Sequence, residues 1–153
     1  MVEPVRPLAE TDHDEWLRQR LALWPDSTPE GHRAEMAGYF SAPRPAAVFV
    51  SPRASGGVQG FVEVGIRDYA EGCEGDWIGY IEGWHVDPDA CHLGIGRALI
   101  AAAEAWAIER GCREMASDAE LANTDSQAAH SRLGYAEVGR SVHFRKVLPG
   151  GLA

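Results

Sequence analysis

No apolar run in this chain is long enough to span a bilayer, and the opening MVEPVRPLAE lacks the basic-then-apolar pattern of a secretion signal. A cytoplasmic location is therefore expected. Cysteine is scarce: Cys73, Cys91 and Cys112 are odd in number, and none stands in C-x-x-C spacing. This argues against a disulfide framework or a structural zinc site and predicts free thiols. The histidines show no ligand spacing, so no metal is expected. Bases are few: 14 Lys and Arg against 23 Asp and Glu give a net charge of −9. That balance disfavours nucleic acid and anionic membrane as partners and favours a cationic one. Internal repeats, low-complexity tracts and domain linkers are absent as well.

What is present begins with core-forming material, since 45% of the 153 residues are hydrophobic and five are tryptophan. A chain of this length forms one domain, expected over residues 1–148 with a flexible tail at 149–153, and buries about 68–70% of its unfolded surface. The organising stretch is Glu82 to Leu99, EGWHVDPDACHLGIGRAL. An apolar strand breaks at Asp87-Pro88-Asp89, passes through Gly94 and Gly96, and becomes a helix. Two glycines let the backbone approach an anion, and the first N–H groups of the helix point at it with the positive end of the helix dipole behind them. Arg97 adds a mobile cation. The spacing is neither G-x-G-x-x-G nor G-x-x-x-x-G-K-[ST], so neither nucleotide fingerprint fits.

Residues 2–7 read as a short edge strand, where prolines cost little. Thr11 with Asp14 signals a helix start, and Trp16, Leu17, Leu21 and Trp24 recur at helical spacing until Pro25. Trp24, at the helix end, serves either the core or a cleft. Thr28 caps and Pro29 opens a second helix to about Phe40. Ala46–Val50 and Val58–Arg67 form an antiparallel pair, with Val58, Val62, Val64 and Ile66 sharing a face. Residues 68–76, DYAEGCEGD, hold four acids and no base. They form a solvated loop or a negative rim for a polyamine, in which Tyr69 could stack on a sugar ring.

The central strand, Trp77–Val86, places Ile78, Tyr80, Glu82, Trp84 and Val86 on one face. A carboxylate in that company is either held by a structural hydrogen bond or turned into a cleft where a ligand completes it, and functional sites are where such departures gather. A helix from Gly96 to Arg110 follows, closed by Gly111. The next strand, 113–118, leaves Asp118 at a strand's C-terminal end, where α/β sheets hold ligands. Asn123 and Thr124 open a further helix, with Thr124 to Gln127 as a capping box, ending at Leu133-Gly134. Two last strands are expected at 135–139 and 141–147.

His-Val-Asp-Pro-Asp followed by Gly-Ile-Gly-Arg-Ala-Leu resembles the acetyl-CoA pyrophosphate loop of the GNAT superfamily of N-acetyltransferases, with Cys91 where that loop usually has Gln or Arg. The order of elements is similar over nearly the whole chain. The resemblance implies an α+β fold with a mostly antiparallel sheet of about seven strands, helices on both faces, and a splay between strands 77–86 and 113–118. The fragments Leu23-Trp24-Pro25, Ile66-Arg67, Glu82-Gly83, residues 111–118 and residues 130–135 further resemble the chromosomal, dimeric aminoglycoside 6′-N-acetyltransferases. That likeness implies that Trp24, Tyr69, Glu82, Asp118 and Glu137 contact the aminoglycoside. It implies that Trp84, His85, Val86, His92, Leu93, Gly94, Ile95, Gly96, Arg97 and Asn123 contact acetyl-CoA. His130 stands where most of the superfamily has a tyrosine that protonates the departing thiolate, and an imidazole could take that role. A homodimer through the C-terminal strands, with Val142, Phe144 and Val147, is implied too.

The chemistry is consistent with these residues. Acetyl transfer needs a neutral amine, while an alkylammonium has a reference pKa of about 10.4. Glu82 is therefore expected to accept a proton directly or through water, and Asp118 to bind cations. Acetylation of another small amine, polyamine or peptide N-terminus, or a non-catalytic acyl-CoA sensor, are the competing readings.

Overall fold

The computed structural model describes residues 4–41 and 43–151; Val2 and Glu3, where the first strand was expected to start, lie outside them, as do the last two tail residues. The chain divides at Asp118/Ala119 into two compact units.

In the first unit, five strands pair in chain order: β1 (Arg6–Pro7), β2 (Ala46–Pro52), β3 (Val58–Arg67), β4 (Ile78–Val86) and β5 (Met115–Ser117). All neighbours are antiparallel except β4 and β5. The β-branched residues of β2 and β3 make this sheet, and their alternation sets its register. Helix α1 (His13–Leu23) follows a 3-10 turn at Glu10–Asp12, in which Asp12, not Thr11, accepts the Ala9 N–H at 2.8 Å. Helix α2 (Pro29–Gly38) starts as its sequence dictates, with Thr28 Oγ1 accepting the Gly31 N–H at 3.0 Å and Pro29 in the first turn. Trp16, Leu17 and Met36 from these helices bury themselves with Val48, Val50, Val58 and Phe61 of the sheet. Each such side chain contributes about 1.5–3 kcal/mol.

Helix α3 (Ile95–Glu109) covers the opposite face and buries Ile95, Leu99, Ala103 and Trp106. It lies so close that a Cβ on Gly60 of β3 would stand 3.0 Å from Leu99 Cδ1. Helices thus cover both faces.

Two bulges redistribute side chains between those faces. Between β2 and β3, Ser51 pairs Gly60 but Pro52 pairs Val58, leaving Gln59 extra. Val58 is therefore turned away from Val62, Val64 and Ile66 and joins the Trp16 cluster. Between β3 and β4, Glu63 pairs Gly83 but Val64 pairs Ile81, so Glu82 is the extra residue. Tyr80 and Glu82 then face α1 and α2, whereas Trp84 and Val86 face α3, and the single face expected for all of them does not exist.

The second unit contains α4 (Thr124–Arg132), capped by the side chain of Asn123, which accepts the Ser126 N–H at 3.0 Å. The expected Thr124–Gln127 box is replaced by this cap, and Gln127 Nε2 donates to the carbonyls of Glu120 and Leu121. Among the described residues, 135–148 contain no strand, so the sheet has five strands and not the seven expected. Alternation marks a strand only where a neighbour supplies a ladder, and these residues have none. No helix among the described residues is long and apolar enough to cross a membrane.

Candidate active site

Strand β4 carries the site. On the α1/α2 side, the bulge sets Glu82 at the wall of an open cavity of about 210 Å³ lined also by Glu35, Tyr39, Arg44 and Gly65. Arg67, at the end of β3, grips Glu82 with both arms, Nε to Oε1 at 2.8 Å and Nη2 to Oε2 at 2.6 Å. The same guanidinium lies over the Tyr80 ring, 3.5 Å from its centroid, and the Tyr80 hydroxyl donates to Asp118. Burial and the hydrogen bond to Asp118 push the Tyr80 hydroxyl pKa well above its ordinary value. It therefore stays protonated as a donor.

Behind Glu82 lies a second, fully buried carboxylate. Glu63 accepts from Trp16 Nε1 at 2.9 Å, from the Tyr39 hydroxyl at 2.8 Å and from Arg20. Burial pushes Glu63 up in pKa while Arg20 opposes it. Arg20 also pairs with Glu35 and donates to His32 Nδ1 at 3.1 Å. Trp24, the C-cap of α1, folds over this network with Arg20 4.7 Å from its ring centroid. Gly83 makes that possible, because a Cβ there would stand 2.6 Å from Trp24 Cη2. The structure thus gathers Glu82, Asp118 and Trp24. Tyr69 is exposed and donates to Glu71 at 3.2 Å in the loop after β3, whose Asp68 pairs with the cavity residue Arg44 at 3.2 Å.

On the α3 side, β4 delivers the anion loop. His92 and Gly94 both have left-handed backbones, φ 68° and 79°, and Gly94 is the N-cap of α3. The first intrahelical bond is Ala98 N–H to Gly94 O at 3.1 Å, which leaves the amides of Ile95, Gly96 and Arg97 ahead of the ladder. Ile95 is buried as the anchor, while His92, Leu93 and Arg97 are exposed. Trp84 lies against the first turn, its Cζ2 only 3.2 Å from where a Gly96 Cβ would be. A Cβ on Gly94 would meet nothing within 4 Å, so the loop presents backbone to open space, and free amides at a helix start can receive an anion.

Asp87 fixes the base of this loop. Its buried carboxylate receives Arg18 Nη2 at 2.8 Å and Arg53 Nη2 at 3.0 Å, with His85 Nε2 at 3.3 Å. Burial pushes the acid up, but the hydrogen bonds from Arg18 and Arg53 outweigh it and bring it from 3.8 down to about 2. Burial lowers the His85 pKa and keeps that ring neutral. A depressed carboxyl stabilises the fold above its unfolded pKa and ceases to do so as pH falls through the folded value. The shift corresponds to about 2 kcal/mol. Asp87→Asn is expected to lose about 2 kcal/mol at pH 7 and to flatten the fall in stability between about pH 4 and about pH 2, as urea unfolding across that range would measure.

In the second unit, His130 Nδ1 donates to the Ser126 carbonyl at 2.7 Å, so that nitrogen carries hydrogen. Glu137 pairs with Arg140, which lowers its pKa, and both are exposed. Among the described residues, no group of three or more His, Cys, Asp or Glu side chains is placed to hold a metal ion.

Sequence reasoning missed Arg67, Tyr80, Glu63 and Arg20. The signal for Glu63 was available, a lone acid between Val62 and Val64, but its partners are distant in the chain.

Residues 10–135 match the model of the acetyltransferase (GNAT) family. The chain is 45% identical over 146 residues to an aminoglycoside N(6′)-acetyltransferase type 1 of Klebsiella aerogenes, covering 94% of this chain and 96% of that one. It is 43% identical to the protein of the same name from Serratia marcescens, over 90% of this chain and 96% of the other. Among solved structures, AAC(6′)-Iy in complex with the bisubstrate analogue CoA-S-monomethyl-acetylneamine superposes with a TM-score of 0.86 at 34% identity, over 97% of this chain and 99% of the other.

Proposed function

The chain belongs to the acetyltransferase (GNAT) family, and from that membership we propose that it transfers the acetyl group of acetyl-CoA to the 6′-amino group of an aminoglycoside, conferring resistance. The observation that carries this reading is the division of labour along β4. An anion loop stands on one face and an acidic cavity on the other, and β4 pairs with β5 only through Gly79–Ile81 against Met115–Ser117. Beyond Ile81 the two faces can communicate through the unpaired edge, which is where a thioester on one side could meet an amine on the other.

When bound, acetyl-CoA supplies the activated acyl group. The amides of Gly94, Ile95 and Gly96, with Arg97, hold its pyrophosphate, and the residues from Trp84 to Val86, together with His92 and Leu93, complete that surface; a contact of Asn123 with the coenzyme is proposed from the family likeness. Backbone N–H groups of β4 from Trp84 to Val86 polarise the acyl oxygen. Trp24, Tyr69, Asp118 and Glu137 hold the polycationic sugar. Glu82 accepts the amine's proton directly or through water, and His130 gives a proton to the leaving thiolate. Residues 1–148 act as one catalytic domain, in agreement with a family match that runs across Asp118/Ala119. Thiol release from acetyl-CoA, measured against aminoglycosides with and without a 6′-amine, polyamines and peptides, tests the assignment. Turnover confined to polyamines or peptides would replace it with another amine substrate, and coenzyme binding without turnover would make the protein a sensor.

We also propose a homodimer. Val138, Val142, Phe144 and Leu148 are exposed along a C-terminal segment without a strand of its own, which leaves apolar surface for a second copy to cover. Light scattering is expected to give twice the 16.6 kDa chain mass, and a monomer at micromolar concentration would exclude the pairing.

A further inference from the structure

We propose that Arg67 holds the substrate ammonium's place on Glu82, so that the enzyme selects polycations by requiring them to displace an internal cation. The inference rests on the assignment of Glu82 to the amine site.

Both acids that line the cavity, Glu35 and Glu82, have an arginine, and so do their neighbours Glu63 and Asp68. Arg20 serves Glu35 and Glu63, Arg44 serves Asp68, and Arg67 serves Glu82. These cations differ in freedom. The Arg20 side chain is 2% exposed and locked to two carboxylates and His32, whereas the Arg67 side chain is 44% exposed and among the described residues pairs with one carboxylate, Glu82. Its other contact is the Tyr80 ring, a face that holds a guanidinium without fixing its direction. Arg67 can therefore swing out, and Arg20 cannot. The bidentate grip uses both oxygens of Glu82. An amine that donates to either oxygen must loosen it.

The competition is uneven in a useful way. A tethered cation acts at an effective concentration of about millimolar, so an amine with one positive charge must reach that range to displace it. A polycation exchanges one ammonium for Arg67 at Glu82 while its other charges meet Asp118 and Glu71, which accept from the hydroxyls of Tyr80 and Tyr69, so those contacts displace no internal cation. Arg67 is in this sense a specificity-determining residue: it penalises monoamines such as lysine side chains and simple amino sugars more than aminoglycosides.

The test compares neamine with 6-amino-6-deoxyglucose, which carries one amine, as acetyl acceptors for the wild type, Arg67→Gln and Arg67→Lys. Arg67→Gln is expected to lower the KM of the monoamine sugar at least tenfold and that of neamine by no more than about threefold, narrowing the kcat/KM ratio between them, with Arg67→Lys between it and the wild type. A rise or no change in the monoamine KM would overturn the proposal, because Arg67 would then be supporting Glu82 and not occupying its site. A second measurement needs neither turnover nor a variant. The side-chain Nε–H resonance of Arg67 in the wild type should shift when neamine is titrated and stay in place with millimolar monoamine. An Arg67 resonance that neamine leaves unmoved at saturation would also overturn it. Loss of all wild-type acetyl transfer to neamine, with neamine still shifting the resonance, would instead refute the enzymatic reading and leave the displacement intact.

Discussion

Glu82→Gln is expected to lower kcat for acetyl transfer to an aminoglycoside by about 100-fold or more, the range in which a positioned general base contributes. The substitution keeps the side chain's volume and its bulge, so the wall of the cavity stays in place. What it removes is the ability to take a proton from an amine that arrives as an ammonium with a reference pKa of about 10.4. Asp118 should behave differently. It is exposed, it accepts from the Tyr80 hydroxyl, and its charge is available to a second ammonium, so Asp118→Asn is expected to raise KM with kcat nearly unchanged. The deciding measurement is kcat against pH for Glu82→Gln. If Glu82 is the acceptor, the rise of kcat with the deprotonation of an essential group should vanish. A near-normal kcat with an unaltered profile would mean that Glu82 only holds the sugar, and that water or the substrate manages the proton.

The structure explains why this residue was legible in the sequence while its neighbours were not. Glu82 breaks an apolar alternation, and such a break is visible in one strand alone. The bulge that gives it its direction is not, because it exists only in the register of β4 against β3. For the same reason Trp84 and Val86 were assigned to the wrong face, and Val58 likewise. The glycine loop and α3 were readable because turn and cap chemistry are local: Gly94 does take a left-handed backbone at the helix N-cap. Arg67 with Glu82 and Arg20 with Glu63 are 15 and 43 residues apart, and no periodicity predicts such pairs. The apolar alternation of the C-terminal segment predicted strands, yet a strand forms only where a partner edge is presented. The acidic loop at 68–76 reads from sequence as either a solvated loop or a negative rim; all four of its acids are exposed, and its link to the cavity runs through Arg44, which no local pattern marks.

Gly94→Val should act on coenzyme affinity as strongly as Glu82→Gln acts on rate. At φ 79° Gly94 occupies a conformation that a β-branched residue adopts only with strain, and it does so at the residue whose carbonyl accepts the first hydrogen bond of α3. Valine would relieve that strain by turning the peptide toward negative φ, which re-aims the Ile95 amide away from the pyrophosphate. Its side chain would also fill the space into which no protein atom reaches within 4 Å. Because that space is open, the substitution meets no packed neighbour, and its cost to stability is limited to backbone strain of about 1–2 kcal/mol. A marginally stable domain can bear this and remain folded. The cost to acetyl-CoA binding is larger, about 100-fold in Kd or about 2.7 kcal/mol, because both the amide dipoles and the room for the anion are lost. Gly96→Ala provides the contrast, since its Cβ would press on Trp84 at 3.2 Å and disturb the strand instead of the anion's space. Calorimetric titration of each variant with acetyl-CoA separates the two effects. An unchanged affinity in folded Gly94→Val would show that the coenzyme is not held by this loop, and the assignment of α3's N-terminus would fall with it.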